Sequence, residues 1–357
     1  MSTDFIPVPI VPSRSRLSAA TIPRIIWPIA ALLLILLFNF FFTPGFFSFT
    51  IRNGRAYGSL IDILNRGAPV MLLSLGMTLV IATGGIDLSV GAVMAIAGAT
   101  AAVLISRPDD CLLSKIDVHG SITLIVGLAL LAALSAGLWN GVLVSLVGIQ
   151  PIVATLILMV AGRGIAQLLT NAQHVRFENQ SFQFIGSGAM FGLPFPITLV
   201  VITAIFFALL SRGTALGLFI ESVGNNPTAS RYCGVNARAV RLFCYLLSGL
   251  CAGLAGLIAA ADIKEADPYH AGELLELDAI LAVSVGGTAL TGGRFSLAGS
   301  LIGAMVVQAL RTTILQQGVP PAVDPVVKAI VVIAVCLLQS EEFRRRILAP
   351  LRRRRRA

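Results

Sequence analysis

The sequence predicts an all-α, polytopic membrane protein with about ten transmembrane helices. Of its 357 residues, 56% are apolar and 12% are charged, whereas about a quarter of the residues in a soluble chain are charged. Apolar runs long enough to cross roughly 30 Å of hydrocarbon recur from residue 25 to residue 339. The net charge of +9 is concentrated at one end: setting aside the tail from Glu341, with its eight Arg and two Glu, leaves +3. That balance argues against a nucleic-acid partner.

Taken in order, residues 1–24 contain Pro7, Pro9, Pro12, Pro23 and three Arg without periodicity, and read as a disordered cytoplasmic tail. The first apolar run, 25–42, has the basic flank of a signal peptide. No small-residue cleavage site precedes FFTPGFF, so it reads as an uncleaved anchor. Further spans are expected at 60–83, 88–106, 122–147, 151–170, 194–211, 241–262, 276–291, 297–316 and 323–339, within a transmembrane domain of 25–340. The Arg residues at 344–346 and 352–356 then hold a basic tail, 341–357, in the cytoplasm against anionic membrane lipid.

Ten spans place both termini on one side. With the termini inside, sixteen Lys and Arg face the cytoplasm and six face outward, as the positive-inside rule requires, although eight of the sixteen lie in one tail. Glycine and alanine four residues apart, as in Gly137/Gly141, Gly249/Gly253, Ala252/Gly256 and Gly299/Gly303, predict close helix packing.

Residues 77–99, MTLVIATGGIDLSVGAVMAIAGA, interrupt an apolar stretch with a glycine pair and one carboxylate. Paired glycines free the backbone to turn, and Asp87 is placed to cap the helix that follows. Two readings stay open: a capped helix start with Asp87 solvated at the interface, or a broken helix whose irregular backbone lines a cavity. Thr83, Gly84, Gly85 and Gly91 recur as Thr291, Gly292, Gly293 and Gly299, each 208 residues later, a weak echo in a glycine-rich chain.

TLVIATGGIDLSVGAVMAIAGA, together with ESVGNNPTASRYCGV, YLLSGLCAGLAG and ELDAILAVSVGGTALTGGRFSLAGSLIG, resembles the permease subunits of bacterial ABC importers for ribose, xylose and related sugars. LIDILNRGAPV and IQPIVATLILMVAGRGIAQL are most similar to the galactofuranose importers of that family. The resemblance runs from about Ile61 to the last apolar segment. It implies a bacterial inner-membrane subunit that pairs with a second permease subunit, the same chain or a different one. It also implies a cytoplasmic ABC ATPase that binds ATP and Mg, and a periplasmic sugar-binding protein.

The hydrophilic segment 212–240 is too long for a turn. Asn225, Asn226 and Pro227 open a short helix over residues 228–233, and Gly234 closes it. A plain capped loop is the alternative. The resemblance makes Asn226, Pro227, Thr228, Ala229, Ser230, Arg231 and Gly234 the coupling segment that docks on the ATPase. Thr228 and Ser230 depart from the acidic residue and the alanine that the family commonly carries there.

Asp62, Arg66, Arg163, Glu276, Asp278, Arg311 and Lys328 are ionisable groups within spans, where such groups usually face an interior or a cavity. Asp62 and Arg66 are spaced to neutralise each other on one helix face. Asp87, Ser89, Asn140, Gln150, Arg163 and Gln167 are the candidate lining of a substrate pathway, since sugar hydroxyls call for amides and carboxylates rather than charge of one sign.

No phosphate-loop motif occurs, so ATP is expected on the partner and not on this chain. His119, His174 and His270 lack metal spacing, and the five Cys form no C-x-x-C pair. Neither a catalytic residue nor a metal site is predicted. An ion-coupled secondary transporter using Asp87, Glu276 or Asp278, an amino-acid ABC permease, and a membrane-embedded enzyme are the alternatives.

Overall fold

The structure, a computed structural model, describes residues 25–48, 50–52, 55–106, 121–190 and 192–339. The two predicted tails, 1–24 and 341–357, lie outside the described residues, as do Lys115 and His119. Thirteen α-helices follow one another among the described residues: α1 Ile26–Phe42, α2 Ser59–Ala82, α3 Val90–Ser106, α4 Ile122–Val142, α5 Pro151–Leu169, α6 Gln180–Ser187 and α7 Phe195–Gly213. After these come α8 Leu216–Asn225, α9 Pro227–Tyr232, α10 Ala237–Ile263, α11 Leu275–Val285, α12 Leu297–Gln316 and α13 Asp324–Gln339.

A helix occupies each of the ten expected spans, yet among the described residues six are long and apolar enough to cross a membrane: α2, α4 with its π-helical extension Leu143–Val147, α5, α7, α10 and α12. About ten full spans is therefore more than the helix lengths support. The largest departure is 276–291, where α11 stops at Val285 after 11 residues, about 16 Å of helix. Beyond it Gly287, Gly292 and Gly293 adopt positive φ, a conformation that no continuing helix accepts.

Helices α2, α10 and α12 bury two-thirds or more of their most apolar stretch, whereas α4, α5 and α7 bury less than a third. The first three, with α3, therefore form the centre, and the others present apolar faces outward. The expected small-residue contacts form there: Gly137 on α4 packs on Gly249 of α10, where an added Cβ would lie 3.0 Å from the Gly249 Cα. Side-chain hydrogen bonds tie further helices to this centre. On α1, Asn39 Nδ2 donates to Thr313 Oγ1 of α12 at 2.7 Å.

The connections gather at two ends. At one, Val175 and Arg176 pair with Ala266 and Glu265, Ala56 N–H donates to Gly192 O at 3.1 Å, and Gln317 Nε2 donates to Thr43 Oγ1 at 2.9 Å. At the opposite end, Gly293 N–H donates to Ala82 O at 2.9 Å. That bond joins the two echoing segments, and a Cβ at Gly292 would meet Gly84 N at 3.0 Å. Residues 208 apart in sequence are thus in contact.

Candidate functional site

The turn between α2 and α3 is built around Asp87. Gly84 has φ +81°, and Gly85 lies so close to Tyr245 that a Cβ would sit 2.6 Å from the phenol oxygen. The chain then enters α3 with Ser89 O accepting from Val93 N–H at 2.9 Å. Asp87 itself is 2% exposed. Its Oδ1 accepts from Ser89 N–H at 3.1 Å and Ser89 Oγ at 2.7 Å, and its Oδ2 from Ser248 Oγ of α10 at 2.8 Å. Asn140 of α4 donates to Ser89 Oγ at 2.7 Å and, more weakly, to Asp87 Oδ1 at 3.4 Å.

This carboxyl group is buried in protein, not solvated, and it binds α3, α4 and α10 to one another. It is not among the residues lining either of the two cavities that follow.

A cavity of about 240 Å³ lies beside the turn, at the end of the bundle that holds Ala82 and Gly293, and is lined by Thr83, Gly84, Gly85, Gln150, Arg241 and Tyr245 among others. A larger one, about 630 Å³, lies toward the opposite end. There Asp62, Asn65 and Arg66 of α2, Asp262 of α10, and Gln308 and Arg311 of α12 face a space walled by small residues such as Gly98, Ala99, Gly256 and Ala259. Its volume falls within the usual range of small-molecule pockets, about 300–1,000 Å³.

The six predicted pathway residues are therefore divided among three places. Asp87, Ser89 and Asn140 form the buried cluster, and Gln150 lines the smaller cavity. Arg163 sits near the opposite end, where its guanidinium donates to Tyr269 O at 3.3 Å and to Ala271 O; Gln167, one turn along α5, is half-buried.

Reading the sequence missed Asn65, Asp262 and Gln308 as lining residues. An apolar helix with scattered amides gives no sign of which way each one faces. Asp62 and Arg66 both face the larger cavity, and the charge acting on Asp262 there is that of Arg66.

The 212–240 segment contains more helix than expected. α8 precedes the predicted short helix and buries Gly217, Ile220 and Val223 along one face. In α9, Pro227 occupies the first turn and Asn226 caps it, its side-chain oxygen accepting from Thr228 N–H and Ala229 N–H at 3.0 Å. Gly234 then turns the chain at φ +84°. Ser230 is the buried residue of α9, whereas Thr228, Ala229 and Arg231 are exposed and Tyr232 is 88% exposed. Behind α9, Gly224 packs directly on Ala82 O and Gly293 N.

In the loop between α10 and α11, partial burial pushes the Asp267 carboxyl up. The N–H groups of Tyr269 and His270, 2.8 and 3.0 Å away, and the His270 ring outweigh this and hold it below the usual carboxylate range. His174 is 3.3 Å from Glu265. Among the described residues no three His, Cys, Asp or Glu are grouped to hold a metal. Cys244 and Cys251 are buried and Cys233 is exposed, all as free thiols.

Residues 59–336 match the profile of a family described as "Branched-chain amino acid transport system / permease component". The chain is 52% identical over 326 residues to the galactofuranose transporter permease protein YtfT of Escherichia coli K12, covering 90% of this chain and 92% of that one. It is 40% identical to the fructose import permease protein FruF of Bifidobacterium longum, covering 89% and 88%. With the ribose import permease protein RbsC of Escherichia coli K12 the identity is 36%, covering 84% and 88%. No solved structure matches significantly.

Proposed function

The chain belongs to the branched-chain amino acid transport system / permease component family, and from that premise we propose that it is the transmembrane translocation subunit of an ATP-driven importer for a monosaccharide. The observation that carries the reading is the 52% identity to a galactofuranose transporter permease along nearly the whole of both chains. The chain is a transport subunit and not an enzyme. It resides in the bacterial inner membrane as a multi-pass protein, and the sugar crosses chemically unchanged.

In this reading both termini are cytoplasmic, so the end that holds Ala82, Gly293 and α9 faces the cytoplasm and the 630 Å³ cavity lies toward the periplasm. A periplasmic binding protein delivers the sugar, a second permease subunit completes the pathway, and ATP and Mg bind a separate cytoplasmic ATPase. The exposed face of α9 docks on that ATPase. Gly224, packed on the end of α2 and on the turn at Gly293, passes the movement into the bundle. Alternating access then follows as a shift between two populated arrangements of the helices.

The test is to tag the N-terminus, extract the chain from native membranes in mild detergent, identify what comes with it and measure uptake in proteoliposomes. Recovery of a soluble ATPase, with ATP-dependent uptake of galactofuranose, fructose or ribose, is expected. Uptake without ATP would instead indicate an ion-coupled transporter, and uptake confined to leucine, isoleucine or valine an amino-acid permease.

A further inference from the structure

Six polar side chains from three helices, Asp62, Asn65, Arg66, Asp262, Gln308 and Arg311, converge on one space of about 630 Å³ at the end of the bundle away from α9. We propose that this space is a binding site for one neutral, polyhydroxylated sugar molecule within the chain, with Asn65 and Gln308 as the groups that read its hydroxyls. The inference rests on the importer reading and assigns the substrate site within it.

Charge is the first argument. The carboxylates of Asp62 and Asp262 balance the guanidinium groups of Arg66 and Arg311, and the two further lining carboxylates, Glu265 and Asp267, are already engaged by Arg176 and by the N–H groups of Tyr269 and His270, so the site holds no excess positive charge for an anion. Hydrogen bonding is the second. The Asn65 side-chain oxygen is buried without a hydrogen-bond partner, and such an orphaned acceptor is costly unless a donor reaches it; a sugar hydroxyl is such a donor. Gln308 is 5% exposed and lies against Gly67 of α2, where a Cβ would stand 3.2 Å from its Cγ. The amide is thereby held at the wall by packing.

The wall itself is the third argument. Gly98, Ala99 and Gly256 leave room for a ring, beside apolar side chains such as Met94, Ile258 and Leu275 that can cover its C–H edges.

The experiment uses the whole importer complex in proteoliposomes. Asn65→Leu and Gln308→Leu are expected to lower sugar uptake tenfold or more, while ATP hydrolysis stimulated by the binding protein stays within about twofold. Exposed Glu178→Gln serves as a control that changes neither. Uptake by both variants at the wild-type rate would overturn the assignment.

Should the leucine variants fail to assemble, Asn65→Cys labelled from outside by a membrane-impermeant thiol reagent, with residue 65 followed by mass spectrometry, decides instead. Millimolar sugar is expected to slow labelling threefold or more and leucine to leave it unchanged. Equal rates with and without sugar, or protection by leucine, would overturn it. If the wild-type complex takes up no sugar with ATP, the importer reading itself has failed; if it does and these variants behave like it, only the site is lost.

Discussion

Ser248 Oγ, midway along α10, donates a 2.8 Å hydrogen bond to Oδ2 of Asp87, 161 residues earlier in the chain. Both residues are buried, at 1% and 2% exposure, so water offers neither one a substitute partner. The bond locks the α2–α3 turn to the longest helix of the bundle.

Removing one donor and removing the acceptor should therefore differ in cost. Ser248→Ala should lower stability by about 1 kcal/mol, the scale of single hydrogen bonds between helices in membranes. Asp87→Ala leaves Ser89, Ser248 and Asn140 without their shared acceptor and should cost about 3 kcal/mol or more. Thermal unfolding of the detergent-solubilised chain should show the aspartate variant melting well below the serine variant; equal midpoints would mean the network is not structural.

The junction at Gly224 gives a second expectation. A Cβ there would collide with Ala82 O and stand 2.5 Å from Gly293 N, and both are backbone atoms that cannot swing aside. Gly224→Ala should leave the chain in the membrane and bound to its ATPase while cutting the sugar carried per ATP hydrolysed severalfold. Deleting residues 226–234 should abolish transport and ATPase binding together, with membrane insertion retained. Coupled transport at the normal ratio in Gly224→Ala would remove the mechanical role assigned to this contact.

Lys328 of α13 holds both oxygens of Asp278 on α11, at 3.0 and 2.9 Å, with the two residues 8% and 7% exposed. Lys328→Met strips a buried carboxylate of its cation and should cost about 3–5 kcal/mol, whereas the double variant Lys328→Met, Asp278→Leu should regain most of that. A double-mutant cycle on the unfolding midpoints measures the difference. If the double variant is as unstable as the single one, the pair contributes more than mutual neutralisation.

The short helix α9 was legible because its signals are local. Asn226, Pro227 and Gly234 specify a cap, a first turn and a stop within nine residues, and α9 forms where they place it. The Gly137/Gly249 contact was legible for a similar reason, since a small residue at four-residue spacing marks a face without needing to name its partner. α8 was missed although Gly217, Ile220 and Val223 lie on one face, because the segment around it is hydrophilic.

The two halves of the glycine echo carried too little pattern to interpret, yet they meet at Gly84 and Gly292. The expected span at 276–291 failed for the opposite reason. Its apolar composition is continuous, but Gly286 and Gly287 end α11 early, and buried protein contacts let irregular backbone persist there.

The sequence by itself determined the membrane class, where the long apolar helices lie, the family resemblance and the local form of α9, because apolar run length, caps and motifs are properties of neighbouring residues. Only the tertiary structure decided that Asp87 is buried under Ser248 and Asn140, and that Asn65, Asp262 and Gln308 share one cavity. Those relations depend on which way each helix is turned about its axis. In a helix apolar nearly all round, close packing against several neighbours sets that rotation, and no short pattern records it.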